Sequence, residues 1–152
     1  MRRVRWCPMS NPMALYNTVV TKEEQARAVA QTVHAVDSAL PVLGLAGSAM
    51  FDAATGAGLR CVAEAFADRA YRPNGQLVSR REPGAVIHDP DVVAQRVATM
   101  VARSEVTAID GSVIPVEVES VCVHGDSPGA VKIATAVWER LTADGVDLRP
   151  FT

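Results

Sequence analysis

The chain has 152 residues, with 15 Lys plus Arg against 17 Asp plus Glu and a formal net charge of -2. That is the length of one ordinary domain, and the balance provides no basic footprint for nucleic acid or an anionic membrane surface. Hydrophobic residues make up 49% and charged residues 21%, a globular rather than disordered composition, and no apolar run reaches the roughly 20 residues of a membrane span.

Cys7, Cys61 and Cys122 are too widely spaced for a disulfide framework or a metal knuckle, and the basic start lacks the apolar core of a signal peptide. A reduced, cytoplasmic setting is the expectation. Residues 1–17 read as irregular, because Pro8 and Pro12 block regular structure. Thr21 with Glu24 forms a capping-box pattern, predicting a helix to about Asp37 with Ala28, Val29, Val33 and Val36 inward. Pro41–Ala46 reads as a buried strand, followed by a helix that stops at Gly58. Residues 59–66 read as the next strand.

A long polar stretch, residues 68–84, comes next. Asp89-Pro90 then predicts a helix start, with Val92, Val93, Val97, Met100 and Val101 on one face. Asp110-Gly111 marks a hairpin within 106–117. Val118–Val123 is a further strand. Ser127-Pro128 begins the last helix, with Val131, Ala134, Val137, Trp138 and Leu141 inward, and Val146–Leu148 closes the series as a short strand. Strands alternating with helices imply an α/β fold with a mostly parallel sheet, whose chemistry gathers at the carboxyl ends of the strands.

Two segments fall at such ends. The 68–84 stretch carries Asp68, Arg69, Tyr71, Arg72, Arg80 and Arg81. Guanidinium forks match carboxylates and phosphates, so a small anionic ligand is chemically plausible; the plainer alternative is a solvated loop whose Arg and Asp pair with one another. The second segment is His124-Gly125-Asp126. An imidazole there shuttles a proton near neutral pH, and a neighbouring carboxylate orients it or binds a metal; alternatively Asp126 and Ser127 only cap a helix. His34 and His88 lack matching ligands, Cys61 and Cys122 read as small hydrophobes, and the glycines form no phosphate loop.

Glu64–Asp89 (EAFADRAYRPNGQLVSRREPGAVIHD) and Val121–Val131 (VCVHGDSPGAV) resemble two long signatures of the LamB/YcsF family, the A subunits of prokaryotic 5-oxoprolinases. Gly44–Met50 (GLAGSAM) and Ala14–Asn17 (ALYN) match as well. The resemblance implies an irregular, TIM-like α/β barrel of the glycoside hydrolase and deacetylase type, here built only in part. It implies ATP-dependent opening of the lactam 5-oxoproline to glutamate, together with partner subunits B and C. It places Asp68, Arg69, Tyr71 and Arg80 in the pocket, with Tyr16 and Asn17 in the substrate- or phosphate-binding set and His124 and Asp126 at the rim or floor. Arg69 and Arg80 suit the phosphates; His124 with Asp126 suits the water-activating base, and Asp68 joins the catalytic set. A metal requirement is not implied either way.

Family members are about 250 residues long by the same resemblance, so an amino-terminal portion with acidic and His-containing motifs is missing. Where the family reads Val-Lys-Pro-His-Gly before ALYN, this chain reads Met9-Ser10-Asn11-Pro12-Met13. Written ATG-TCA-AAC-CCC-ATG-GC, residues 9–14 give that family motif when read from the third base. The expectation is a change of frame just before Ala14, with residues 1–13 a non-matching leader and 14–152 the carboxyl-terminal part of the barrel. An incomplete barrel would expose strand edges and favour self-association. The alternatives are a non-catalytic module docking on the other subunits, and a polysaccharide deacetylase-like hydrolase by fold analogy.

Overall fold

The computed structural model describes residues 3–7, 20–126 and 128–150. The chain divides into two compact units, Asn11–Glu64, and Met1–Ser10 with Ala65–Thr152.

In the Asn11–Glu64 unit, helix α1 (Glu23–Val36) precedes strand β2 (Val42–Gly44) and helix α2 (Ala49–Gly56), and β2 pairs in parallel with the start of β3 (Cys61–Phe66). Ser48 caps α2 by accepting from the Phe51 N–H. The expected capping box of α1 does not form. Lys22 is the N-cap and makes no side-chain cap bond, so the acidic first turn, Glu23 and Glu24, is what favours this helix end. The buried stripe also differs from expectation: Ala26 and Ala30 pack against Met50, Ala54 and Leu59, while Val29 and Val33 are only partly covered and Val36 is 76% exposed. Small alanines let two helices approach closely, and the bulkier valines are left at the margins.

The other unit holds the remaining elements: strand β1 (Arg3–Cys7), helix α3 (Pro90–Arg103), strands β4 (Glu105–Thr107), β5 (Val113–Pro115) and β6 (Ser120–Cys122), helix α4 (Ala130–Ala143) and strand β7 (Asp147–Pro150). β1 lies between β6 and β7 and is parallel to both. Residues 3–7 are therefore not irregular as expected. They carry no proline, they end directly before Pro8, and Val4 enters the main core at 1% exposure. A strand inside a sheet needs its N–H groups, and Pro8 bounds this one without interrupting it.

The core of this unit joins Val4 and Val121 of the sheet to Val93, Val97 and Val101 of α3 and to Ile133, Val137 and Leu141 of α4. Asp89 caps α3 through the Asp91 and Val92 N–H groups, with Pro90 at the first helical position, as the sequence predicts. Val92, expected inward, is 52% exposed. α4 begins later than expected, with Gly129 as N-cap at φ 80, a left-handed value that suits glycine. Its inward face is Ile133, Val137 and Leu141, whereas Val131 and Trp138 face out. The Ser127 cap lies outside the described residues. β4 and β5 form the expected antiparallel hairpin around Asp110-Gly111.

The sheet is open: among the described residues β7 pairs only with β1. Parallel strands alternating with helices are as expected, and the described elements do not close into a barrel. No helix among the described residues is long and apolar enough to cross a membrane.

Candidate functional site

The loop after β3 is a folded structure of its own. The Ala67 N–H donates to the Cys122 carbonyl (2.9 Å), fixing the loop's start beside the end of β6. Further on, Ala70 N–H donates to Ala85, Val78 N–H to Ala70, and Ile87 N–H to Asp68, so the loop folds back twice on itself. Ala70, Val78 and Ala85 form a small core inside it. A stretch that composition marks as polar thus satisfies its backbone internally, which a buried loop must do.

Its most prominent side chains hold that fold. Arg69 is 4% exposed, and its guanidinium donates to the carbonyls of Val78 and Ala85. Tyr71 is 1% exposed, and its hydroxyl accepts from the Phe66 N–H (2.8 Å). Arg72 pairs with Glu82 at 2.6 Å. Arg81 is exposed. Arg69 and Tyr71, expected to line a pocket, are thus turned into the loop. Arg96 of α3, which the sequence reading passed over, backs them: it donates to the Arg69 carbonyl (3.1 Å) and the Thr107 carbonyl (2.9 Å) and lies 5.6 Å from the Tyr71 ring centre. Burial pulls its guanidinium below the usual arginine range, with Tyr71 opposing.

Asp68 is different. Its side chain is 1% exposed, and its Oδ1 lies 2.7 Å from Nδ1 of His124, itself 9% exposed. The two come from the loops that follow β3 and β6. A carboxylate only accepts, so Nδ1 carries the proton of this bond, and in the neutral form of the ring the lone pair is on Nε2. Phe66 stacks on the imidazole, with ring centres 5.8 Å apart and planes at 21°. Carboxylate on one nitrogen and aromatic ring on one face fix both tautomer and orientation. Among the described residues, Nε2 has no hydrogen-bond partner, and neither has the buried Asp68 Oδ2.

The expected partner of His124 was Asp126. That carboxylate instead accepts from Arg80 Nη1 at 3.1 Å, and the hydrogen bond from Arg80 is the largest influence holding it below the usual carboxylate range. The reason is directional: with exposed Gly125 between them, His124 turns inward to Asp68 while Asp126 turns outward to the arginine. Arg80 and Asp126 thus tie together the same two loops that supply the dyad.

His34 and His88 are exposed, Cys61 is partly covered and Cys122 buried. Tyr16 and Asn17 lie outside the described residues. Among the described residues no group of three or more His, Cys, Asp or Glu could hold a metal ion. The pairing of Asp68 with His124 was half visible in the sequence, since both stand just past the ends of apolar strands; nothing local indicated Arg96 or Phe66.

Residues 9–152 match the LamB/YcsF family. The chain is similar to the 5-oxoprolinase A subunit of Mycobacterium leprae, 64% identical over 138 residues covering 91% of this chain and 55% of that protein. It is similar to the protein of the same name from Mycolicibacterium gilvum, 67% identical over 139 residues, with 91% and 55% covered. The crystal structure of lactam utilization protein from Thermus thermophilus superposes with a TM-score of 0.85 at 40% identity, covering 99% of this chain and 58% of that one. The chain spans about half the length of the curated relatives it matches.

Proposed function

Because the chain belongs to the LamB/YcsF family, we propose that it acts within an ATP-dependent 5-oxoprolinase and supplies the base that hydrolyses the lactam to glutamate. On this reading it corresponds to about half of a TIM-like barrel and works in the cytoplasm with companion subunits B and C. The observation that carries the assignment is the Asp68–His124 contact at 2.7 Å, with Nε2 uncommitted among the described residues.

The chemistry follows from amide resonance, which makes a lactam carbonyl a poor electrophile. Attack by water requires a base at the moment the C–O bond forms. Nε2 of His124 takes that proton, and Asp68 holds the Nδ1 proton and stabilises the imidazolium. The same Nε2–H then protonates the departing ring nitrogen as the C–N bond breaks. Water is consumed, the ring opens, and His124 returns to its starting form. Phe66 restrains the ring through both transfers, and burial of Asp68 keeps water from competing for Nδ1.

The two arginines expected at the phosphates have other partners. Arg69, the leading phosphate candidate, spends its guanidinium on the Val78 and Ala85 carbonyls, and Arg80 is engaged by Asp126. On this reading ATP is used in the assembled enzyme. The second reading, a module that docks on the companions through an arginine-lined loop, loses Arg69 to the loop's interior but keeps Arg80 and Arg81 exposed. A deacetylase-like hydrolase rests on fold analogy alone.

The test combines the chain with subunits B and C, ATP and 5-oxoproline and follows glutamate release. Asp68→Asn keeps the shape but imposes the wrong tautomer, and turnover is expected to fall by about 10²–10⁴-fold. Unchanged turnover in this variant removes the dyad from the mechanism. Capture of the companions without turnover by the wild-type chain favours the docking module.

A further inference from the structure

The backbone around Asp68 is tied on both sides. Before it, the Ala67 N–H donates to the Cys122 carbonyl at 2.9 Å and the Phe66 N–H to the Tyr71 hydroxyl at 2.8 Å. After it, the Asp68 carbonyl accepts from the Ile87 N–H at 2.9 Å and the Arg69 carbonyl from Arg96 Nη2 at 3.1 Å. Of these ties, only the last uses a side chain from a helix.

His124 is supported through the same residues. Its ring stacks on Phe66, the Phe66 N–H rests on the Tyr71 hydroxyl, and the Arg96 guanidinium lies over the Tyr71 ring. One side chain therefore stands behind Asp68 through Arg69 and behind His124 through Tyr71 and Phe66. Arg96 Nη1 also donates to the Thr107 carbonyl at the end of β4, and the Ile109 N–H donates to the Tyr71 carbonyl at 2.8 Å. Helix α3 gives this junction a rigid platform, because Val93 and Val97 beside Arg96 are wholly buried in the main core.

An arginine is a costly choice here. Its Nε is buried with no hydrogen-bond partner, and burial also weighs against its charge. A methionine fills similar space without either penalty. It cannot hold carbonyls from two separate segments while covering an aromatic ring, which the planar guanidinium does.

We propose that Arg96 is a positioning residue for lactam opening, fixing the Asp68 carboxylate and the His124 ring through Arg69 and Tyr71. The proposal rests on the reading of Asp68 and His124 as the base.

The experiment combines the full chain carrying Arg96→Met or Arg96→Lys with subunits B and C, ATP and 5-oxoproline. Lys keeps the charge and most of the stem, so it serves where the methionine variant fails to fold, and its single ammonium cannot span both carbonyls. Both variants should lower kcat by about 10- to 100-fold per folded molecule, with KM within about twofold of wild type. Nuclear magnetic resonance of the full chain provides a readout independent of turnover. The downfield Nδ1–H resonance of His124, lost in Asp68→Asn, should shift or broaden in both Arg96 variants. In Arg96→Ala, millimolar guanidinium should restore part of the turnover, and the same concentration of ammonium should not.

A kcat within about twofold of wild type in Arg96→Lys, or a His124 resonance unmoved in both variants, overturns the proposal and leaves Arg96 a tie of the fold alone. Asp68→Asn separates the two readings. If it loses turnover while Arg96→Lys keeps it, the base stands and this proposal falls. Unchanged turnover in Asp68→Asn, or a wild-type assembly without turnover, defeats both.

Discussion

The loop after β3 turns its arginine and tyrosine onto Val78, Ala85 and Phe66, whereas the shorter loop after β6 leaves one nitrogen of its histidine uncommitted. Both loops stand at strand ends and both are rich in hydrogen-bonding side chains. Length explains the difference. A long loop has many backbone groups to satisfy, and its own side chains are the nearest donors and acceptors. A three-residue segment such as His124-Gly125-Asp126 has little backbone to serve, so its side chains reach to other elements. Asp68 and Arg80 are the exceptions in the long loop, both directed to the segment after β6.

If that contrast is right, substitutions in the two loops damage different properties. The largest effect belongs to His124. His124→Gln in the assembled enzyme should lower lactam turnover by about 10²–10⁴-fold with little change in unfolding midpoint, because the ring lies at the margin of the core. A large stability loss with modest kinetic damage would erase the distinction. Arg69→Met should do the reverse. It strands two carbonyls in a buried loop, and urea unfolding should show a loss of about 2–4 kcal/mol, not restored by Arg69→Lys, whose single ammonium cannot span both acceptors. Tyr71→Phe removes one buried hydrogen bond and should cost about 1–2 kcal/mol by the same measurement, with turnover changed less than by any dyad variant.

The smallest effect comes from the tie between the loops. Asp126 is held below the usual carboxylate range by Arg80, so its contribution is present above the unfolded carboxylate value of about 3.9 and is lost as pH falls through the lower folded value. Both side chains are substantially solvated, at 31% and 61% exposure, which keeps the contribution under about 1 kcal/mol. The stability difference between wild type and Asp126→Asn should therefore be flat from neutral pH to about pH 5 and shrink below pH 4. A difference that grows in acid would contradict the pairing.

Punctuation in the sequence was legible because its physics is local. Asp89-Pro90 and Asp110-Gly111 each act within a few residues, and each marks the element it predicts. Faces of alanine-rich helices were less legible. In α4 the candidate stripe mixed Val131 and Trp138 with Val137 and Leu141, and only packing decides that Ile133 belongs inside and Val131 outside. β1 was missed because two prolines nearby outweighed an arginine-flanked strand whose burial depends on distant β6 and β7. At the site, residue identities pointed to His124 and Asp68, but not to their pairing across 56 positions, and nothing in the loop's composition showed that Arg69 would face inward. Side-chain direction in an aperiodic loop is set by tertiary closure, which no local pattern records.

The lopsided imidazole of His124 also has a signature in chemical labelling. With Nδ1 engaged by Asp68 and one ring face shielded by Phe66, an acylating reagent such as diethyl pyrocarbonate can reach His124 only through Nε2. The native chain should therefore yield a single regioisomer there, whereas exposed His34 and His88 give mixtures, and the urea-unfolded chain should give mixtures at all three.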